Sequence, residues 1–232
     1  MKTFAFKYPL LDWRAYFAEF LGTFVFVFVA SLAVLSNSFY GEVGSLGIAL
    51  ATGLALSAMI FSTVSISGGH LNPAVTLSFW LTQKIGAASC IFYILAQLLG
   101  SLVAASSLLL IFGDRALKFS LGGPVLGADV TMQIAVILEA ILAAVLIFAV
   151  FATMVDRRGP VSFGPLVVGL VVIVASIAAG PLTGAALNPA RALGPLVMSN
   201  QLDALGVWII GPLTGSLFGI IYEFVFLRKG KK

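Results

Sequence analysis

Six long stretches of apolar residues alternate with short polar segments along the chain. Each stretch holds about 20 residues or more, the length that an α-helix needs to cross the hydrocarbon core of a bilayer. The sequence therefore predicts six transmembrane helices. They cover Ala15–Leu35, Val43–Ile66, Gly86–Phe112, Thr131–Val155, Val161–Ala179 and Ala204–Leu227.

Two shorter apolar stretches, Pro73–Leu81 and Pro189–Met198, remain between these segments. About ten residues are too few to span a bilayer, but they suit a re-entrant half-helix. A helix lying in a surface loop is the alternative for either stretch alone. Because the two stretches form a matched pair, the sequence favours two half-helices.

The composition agrees with a membrane protein. Of the 232 residues, 60% are hydrophobic and only 9% are charged, whereas a soluble domain has about 25% charged residues. The mean hydropathy is +1.12. A soluble enzyme or regulator is therefore excluded. The single cysteine, Cys90, allows no internal disulfide.

The net charge of +4 indicates orientation in the membrane and not nucleic-acid binding. Basic residues accumulate in cytoplasmic loops, and in a six-span chain most of them fall on one side. We expect an uncleaved first span, both termini in the cytoplasm, and a multi-pass protein of the cell membrane, plasma or inner. The inner side receives Lys2, Lys7, Arg14, Lys84, Arg157, Arg158, Arg228, Lys229, Lys231 and Lys232, and the outer side receives Arg115 and Lys118.

The two halves of the chain resemble each other. Ser67–Phe79 reads SGGHLNPAVTLSF and Thr183–Pro195 reads TGAALNPARALGP, while Glu19 in the first span has its counterpart in Glu139 in the fourth. Each half holds three spans and one half-helix, and an odd number of spans places the second copy upside down in the membrane. Such inverted repeats build a shared site near the midplane from broken helices.

The expected fold class is thus an all-α membrane protein with six transmembrane helices, two re-entrant half-helices and an inverted 3+3 repeat. We expect a single domain. It covers residues 1–232, with repeat 1 over 10–112, an irregular connecting loop over 113–129 and repeat 2 over 130–228.

The tripeptide Asn-Pro-Ala occurs twice, at Asn72-Pro73-Ala74 and Asn188-Pro189-Ala190. Asn is a favoured N-cap and Pro is favoured at the first helical position, so each motif starts a half-helix. Both N-termini should meet near the membrane centre. If each Asn oxygen caps its own helix, the NH2 group is left for the oxygen of a passing molecule. The two helix N-termini add positive potential, which repels cations and protons.

Non-helical chain rich in Gly and Ala precedes each motif. Its carbonyls cannot face lipid unpaired, so they should line a polar path. Donors at the centre and acceptors on either side suit a neutral molecule that both donates and accepts hydrogen bonds. The backbone positions expected along this path are Gly68, Gly69, His70, Gly184 and Ala186.

With these motifs the sequence resembles the aquaporin family, also called major intrinsic proteins. HLNPAV at His70–Val75 and LNPAR at Leu187–Arg191 match the two family signatures, and the resemblance extends from Glu19 to Leu227. It implies six tilted helices and two half-helices around a pore, usually with one pore in each protomer of a homotetramer. It also implies passive conduction of water or small neutral solutes, without enzymatic activity, cofactor or metal.

The resemblance makes Arg191 the arginine of the selectivity constriction, where it donates to a solute and rejects cations. Register against the family places the other constriction residues at Thr52, Ser176 and Ala185. Related strict water channels carry a bulky aromatic residue and a histidine at the first two positions, so three small residues imply a wide and fairly polar constriction. Glycerol, urea, ammonia and metalloid hydroxides then become candidate solutes beside water. Ala192 stands where glycerol channels typically place Asp, so the solute class stays mixed.

Glu19 and Glu139 lie within the first and fourth spans, where a carboxylate is by default a candidate functional group. As structural supports they would accept hydrogen bonds from the re-entrant loops, which is the interpretation we favour. As proton-coupling groups they would make the protein a secondary transporter, which is the main alternative to a channel. His70, the single histidine, should line the pore or have a structural role, and gating by its protonation stays open.

Two further classes of protein are compatible with a six-span chain. A junction or scaffold protein with a vestigial pore would assemble without conducting solutes. An intramembrane hydrolase is disfavoured because the sequence contains no nucleophile, base and orienting group in a recognisable set. Gln97 in the third span is expected to bond to a loop.

Overall fold

The structure, a computed structural model, describes residues 12–227. Six helices in this part of the chain are long and apolar enough to cross a membrane. They confirm the six predicted spans. Their bounds are Trp13–Tyr40, Gly44–Ser67, Ala87–Phe112, Met132–Val155, Gly164–Thr183 and Leu205–Leu227. The terminal basic residues used to predict orientation, and the outermost ends of the two predicted repeats, lie outside the described residues.

The first and fifth spans end later than hydropathy predicts. The first continues from Leu35 to Tyr40 and stops at Gly41, and the fifth continues from Ala179 to Thr183 and stops at Gly184. Both glycines adopt a left-handed conformation with φ of 74° and bond back to the last turn. Glycine does this at little steric cost, so a backbone signal and not a fall in hydrophobicity ends these helices.

The fourth and sixth spans finish in π-helical turns, at Phe151–Val155 and Glu223–Leu227. The sixth span is also interrupted near its middle, between Leu205–Gly215 and Phe218–Tyr222.

The prediction of an irregular loop over 113–129 is wrong in part. A helical turn at Asp114–Leu117 and a 3-10 turn at Ser120–Gly122 lie within it. Single turns carry too little apolar periodicity to be predicted from sequence.

Both half-helices begin and end where the sequence predicts, at Pro73–Leu81 and Pro189–Met198. An asparagine caps each one, with its side-chain oxygen accepting from the backbone N–H two residues later, and proline occupies the first helical position. The asparagine oxygen thus pairs with a backbone N–H in the first turn, which has no partner within the helix.

Helix packing follows the predicted internal symmetry. The first span packs closely on the third, the fourth packs on the sixth in the same way, and the second crosses the fifth between the two halves. At that crossing Gly53 and Gly169 face each other, and a Cβ atom on Gly169 would lie 2.5 Å from the carbonyl oxygen of Gly53. Small residues thus let the two repeats approach at backbone distance.

The distribution of polar and apolar side chains is that of an integral membrane protein. Large apolar side chains such as Leu110, Ile137 and Val174 are exposed on the spans, whereas Glu19 and Glu139 are fully buried. We call the end of the molecule that carries Lys84, Asp156 and Glu223 the inner end. The end that carries Arg115 and Gly122 is the outer end.

Candidate functional site

The two half-helices meet at their N-termini in the centre of the molecule. Asn72 Nδ2 donates to the carbonyl oxygen of Leu187 over 3.0 Å, and Asn188 Nδ2 donates to that of Leu71 over 2.8 Å. Each asparagine also accepts, through Oδ1, the backbone N–H of the alanine in its own motif, Ala74 or Ala190. Each repeat therefore fixes the loop of the other.

These bonds correct one expectation from the sequence. The NH2 group of each asparagine is not left entirely to a passing molecule, because one of its two N–H bonds is used between the repeats. An amide nitrogen carries two donors, so one N–H of Asn72 and one of Asn188 remain. The bonds between the repeats could not be predicted from the sequence, because Leu71 and Leu187 accept them through backbone carbonyls.

A buried carboxylate supports the loop of the first repeat. Glu19 Oε1 accepts from Ser67 Oγ at 2.6 Å and from the backbone N–H of His70 at 2.9 Å. Glu19 Oε2 accepts from the N–H of Leu71 and from Gln97 Nε2, both at 2.7 Å. All four donors come from the protein itself, so the Glu19 carboxylate is occupied in holding the loop.

Glu139 has the same position in the second repeat. Its Oε1 accepts from Thr183 Oγ1 at 2.7 Å and from the N–H of Ala186 at 3.0 Å, and its Oε2 accepts from the N–H of Leu187 at 2.8 Å. The residues that precede the two loops, Ser67 and Thr183, are also held in the same way in both repeats. Trp208 Nε1 donates to the carbonyl of Thr183 at 2.8 Å, as Tyr93 Oη does to the carbonyl of Ser67.

The first repeat carries a polar network that the second repeat lacks. Gln97 Nε2 donates to Thr76 Oγ1 at 2.9 Å, and Thr76 Oγ1 lies 3.1 Å from His70 Nδ1. The Thr76 hydroxyl has one hydrogen and two lone pairs, so it pairs with Nδ1 in either ring tautomer and fixes the orientation of the His70 imidazole. Gln97 therefore bonds to a carboxylate and a half-helix, and not to a loop as expected. Alanine or proline stands at the matching places of the second repeat, at Ala186, Ala192 and Pro212.

Arg191 is buried near the outer end without a carboxylate partner. Its Nη2 donates to the carbonyl of Gly122 at 2.7 Å and its Nη1 donates to Ser31 Oγ at 3.3 Å. The two ion pairs recorded between described residues involve other side chains, at Lys84–Glu223 and Asp156–Arg158. Two neutral acceptors thus orient the Arg191 guanidinium without cancelling its charge.

Ser31 and Gly122 were not predicted from the sequence. Gly122 has φ of 72°, and a Cβ atom there would lie 2.8 Å from Ser31 Cα. The connecting loop is therefore pressed against the first span at the point where both hold Arg191. A single serine in an apolar helix gives no signal of such a contact, because some serines in the spans, such as Ser38, donate to a carbonyl of their own helix instead.

The remaining constriction residues predicted from the sequence are all small, and the structure buries two of them and half-buries the third. Thr52 is buried and donates its hydroxyl to the carbonyl of Ile48 at 2.8 Å, so its oxygen keeps only acceptor capacity. Ala185 is buried with φ of 45°, and Ser176 is half-buried on the fifth span. None of the recorded hydrogen bonds joins these three residues to Arg191.

Gly68, Gly69 and Gly184 of the predicted loop path all have positive φ. The first two line the wall of a cavity that reaches from the inner half of the molecule to Asn72. Among the described residues, no cluster of His, Cys, Asp and Glu is arranged to hold a metal ion.

Comparison with known proteins agrees with this architecture. The chain matches the family model described as Major intrinsic protein over residues 7–222. Aquaporin TIP4-4 of Zea mays is 41% identical over 227 residues, covering 94% of this chain and 88% of the relative. Nodulin-26 of Glycine max is 34% identical over 211 residues, covering 90% of this chain and 76% of the relative.

A solved structure has the same fold. The X-ray structure of the aquaglyceroporin from Plasmodium falciparum matches with a TM-score of 0.80 at 26% identity, covering 93% of this chain and 97% of that chain. The family model and the relatives extend over nearly the whole sequence. The chain therefore belongs to the major intrinsic protein family, the aquaporins.

Proposed function

We propose that this protein is a passive transmembrane channel that conducts water and small neutral solutes and excludes ions and protons. One observation carries the proposal. The reciprocal bonds of Asn72 and Asn188 hold two oppositely directed half-helices tip to tip in the middle of a six-span bundle. Membership of a family of channels for water and small solutes supports the same conclusion.

The electrostatics of this junction suit neutral solutes. Each helix N-terminus carries a partial positive charge of about half an elementary charge, and two of them face one another here. Cations and hydronium would meet this potential, while a neutral molecule would meet the remaining N–H of each asparagine. Arg191 adds a full positive charge toward the outer end. We assign the exclusion of cations to these groups together.

The constriction formed by Thr52, Ser176, Ala185 and Arg191 is proposed to admit solutes larger than water. Three of its four side chains are small, and Arg191 is drawn toward Ser31 and Gly122. The solutes we propose beside water are glycerol, urea, ammonia and metalloid hydroxides. The relative from Zea mays is named an aquaporin, and the matching solved structure is called an aquaglyceroporin. The loop backbone at Gly68, Gly69, His70, Gly184 and Ala186 is proposed to line the path.

The structure offers no support for a secondary transporter. Glu19 accepts four hydrogen bonds and Glu139 accepts three, all from their own chain. A coupling carboxylate has to exchange its proton during transport, and doing so here would release loop backbone N–H groups into a buried site. We therefore propose that Glu19 and Glu139 are structural supports.

We propose the following organisation. One channel domain covers residues 1–232, with repeats over 10–112 and 130–228 and a connection over 113–129. The domain assembles in the lipid bilayer as a homotetramer with one pore in each protomer. The protein resides in the plasma or inner membrane with both termini in the cytoplasm, and it acts without cofactor or enzymatic activity.

The proposal is tested by a panel of solutes in stopped-flow measurements on liposomes that contain the purified protein. Water, glycerol, urea, ammonia and boric acid are compared with protein-free vesicles in the absence of any ion gradient. Faster swelling for water and for at least one larger solute is expected. Permeability equal to that of empty vesicles for every solute would contradict the proposal, and dependence on a proton or sodium gradient would favour a transporter.

A further inference from the structure

The third span crosses the second half-helix, and a serine lies at the crossing. The third span covers Ala87–Phe112 and packs closely on the half-helix Pro189–Met198. Ser101 is fully buried there, and a Cβ atom on Gly194 would overlap both its carbonyl oxygen and its Oγ. The two helices are therefore in contact through their backbones, and the hydroxyl of Ser101 is enclosed between them.

The hydroxyl of Ser101 bridges two backbone groups of the half-helix. Its oxygen accepts the N–H of Gly194 at 3.0 Å, and its hydrogen is donated to the carbonyl oxygen of Ala190. Gly194 follows Ala190 by four residues, so these are the two groups that an α-helix joins directly. A side chain of the third span therefore takes part in the hydrogen bonding of this turn, and such an insertion alters the local course of a helix.

The next hydrogen bond along the half-helix lacks a backbone donor. Pro195 follows Arg191 by four residues and has no N–H, so the carbonyl of Arg191 receives no hydrogen bond from it. The ring of a proline inside a helix also crowds the carbonyl four residues earlier. The turn that carries Arg191 is therefore not held by its own backbone bonds alone, and Ser101 supports it from the neighbouring span.

The bond from Ser101 acts directly on the backbone of Arg191. The carbonyl of Ala190 and the nitrogen of Arg191 belong to one peptide group, which is planar. Fixing the direction of that carbonyl fixes the plane from which the Arg191 side chain departs. At the other end of the side chain the guanidinium donates to Gly122 and Ser31. Arg191 is thus held at its backbone by the third span and at its charged end by the first span and the connecting loop.

The matching place around the first half-helix has no such bridge between described residues. Ser216 stands at the position of Ser101 in the sixth span, but it donates to the carbonyl of Leu213 in its own helix at 2.6 Å. Ser78 stands at the position of Gly194, and its Oγ has no hydrogen-bond partner among the described residues. Val75 occupies the place of Arg191. The serine bridge therefore occurs at the half-helix that carries a charged side chain.

We propose that Ser101 is a positioning residue of the channel, which directs Arg191 into the constriction through the carbonyl of Ala190. Ser101 touches no solute, because its side chain is fully buried. The inference rests on the proposed channel function and adds a residue on which the exclusion of cations depends. Without the hydroxyl, the carbonyl of Ala190 is directed by the N–H of Gly194 alone, and Arg191 leaves the half-helix at a different angle.

The test removes the hydroxyl and measures the barrier to ions. Ser101→Ala needs no more space than the serine, and it should raise proton and cation leak several-fold in vesicles that carry a membrane potential, while water permeability persists. Ser216→Ala is the matched control, because it removes the equivalent hydroxyl from the sixth span, and its leak should equal that of the wild type. If Ser101→Ala yields no folded protein, Ser101→Gly also lacks the hydroxyl and is measured with the same expectation.

A double variant separates positioning from a general loosening of the bundle. In the Arg191→Val background, Ser101→Ala should add no further leak, because no arginine is left to be positioned. The same fold-increase in both backgrounds would overturn the inference, since Ser101 would then act independently of Arg191. A leak in Ser216→Ala as large as that in Ser101→Ala would overturn it as well.

Two results separate this inference from the proposed function. Wild-type vesicles that conduct water, together with a leak in Ser101→Ala that equals that of the wild type, would overturn the positioning role and leave the channel intact. Wild-type vesicles no more permeable than empty ones would overturn both.

Discussion

Asn72 and Asn188 are joined by a reciprocal relationship, in which the amide of each donates to the carbonyl of the residue that precedes the other. Neither bond lies within one repeat. The tips of the two half-helices are therefore fixed to each other by side chains that also cap them. Capping and cross-linking by the same residue explain why an amide is needed here, since a carboxylate or a hydroxyl cannot replace both the acceptor and the two donors.

The first prediction concerns that amide. Asn188→Asp retains the capping oxygen but has no N–H for the carbonyl of Leu71, and it places a negative charge where two helix N-termini meet. An unmatched buried acceptor costs about 1–3 kcal/mol, so thermal unfolding in detergent should occur at a lower temperature. Cation leak into vesicles should rise because the positive potential is reduced.

Asn37→Asp is the control for that variant. Asn37 accepts the backbone N–H of Gly44 through Oδ1 at 2.8 Å, a role that a carboxylate can also fill. Its stability and cation leak should match those of the wild type. Wild-type behaviour of Asn188→Asp in both measurements would show that the cross-repeat bond is unimportant.

The second prediction concerns the arginine near the outer end. Arg191→Val removes the buried charge and should increase proton and cation leak across vesicle membranes that carry a potential. Ser31→Ala removes one of the two acceptors of the guanidinium and should produce a smaller increase. Ser38→Ala, on the same helix and bonded only to Val34, should have no effect. If Arg191→Val leaked protons and cations no faster than the wild type, Arg191 would not be responsible for excluding them.

The third prediction tests the proposed constriction of Thr52, Ser176, Ala185 and Arg191. Thr52→Phe fills space near the outer end with an aromatic ring, and it should reduce glycerol or urea flux more than water flux. The measurement is the same pair of permeabilities in vesicles of equal protein content. If Thr52→Phe reduced both equally, or neither, Thr52 would not line the constriction.

The fourth prediction separates support from proton coupling. Glu19→Gln or Glu139→Gln replaces one acceptor oxygen by an NH2 group, which faces a backbone N–H and leaves it unpaired. Each variant should lose about 1–3 kcal/mol of stability, while its remaining flux stays independent of a proton gradient. Glu42→Gln, on an exposed residue, should behave as wild type. Loss of gradient-driven uptake in Glu19→Gln would identify a transporter.

Sequence was sufficient for those parts of the fold that local chemistry determines. The half-helix starts at Pro73 and Pro189 follow from the cap and the proline alone. The partners of Arg191 cannot be predicted from local sequence, because Ser31 and Gly122 approach Arg191 only when the first span and the connecting loop are packed together.

The central claim is most directly tested by the osmotic water permeability of wild-type vesicles as a function of temperature, measured without any ion gradient. A channel through the half-helix junction predicts faster shrinkage than in empty vesicles, with a lower activation energy, because water then need not cross the hydrocarbon core. Shrinkage at the rate of empty vesicles, with the same activation energy, would contradict the account.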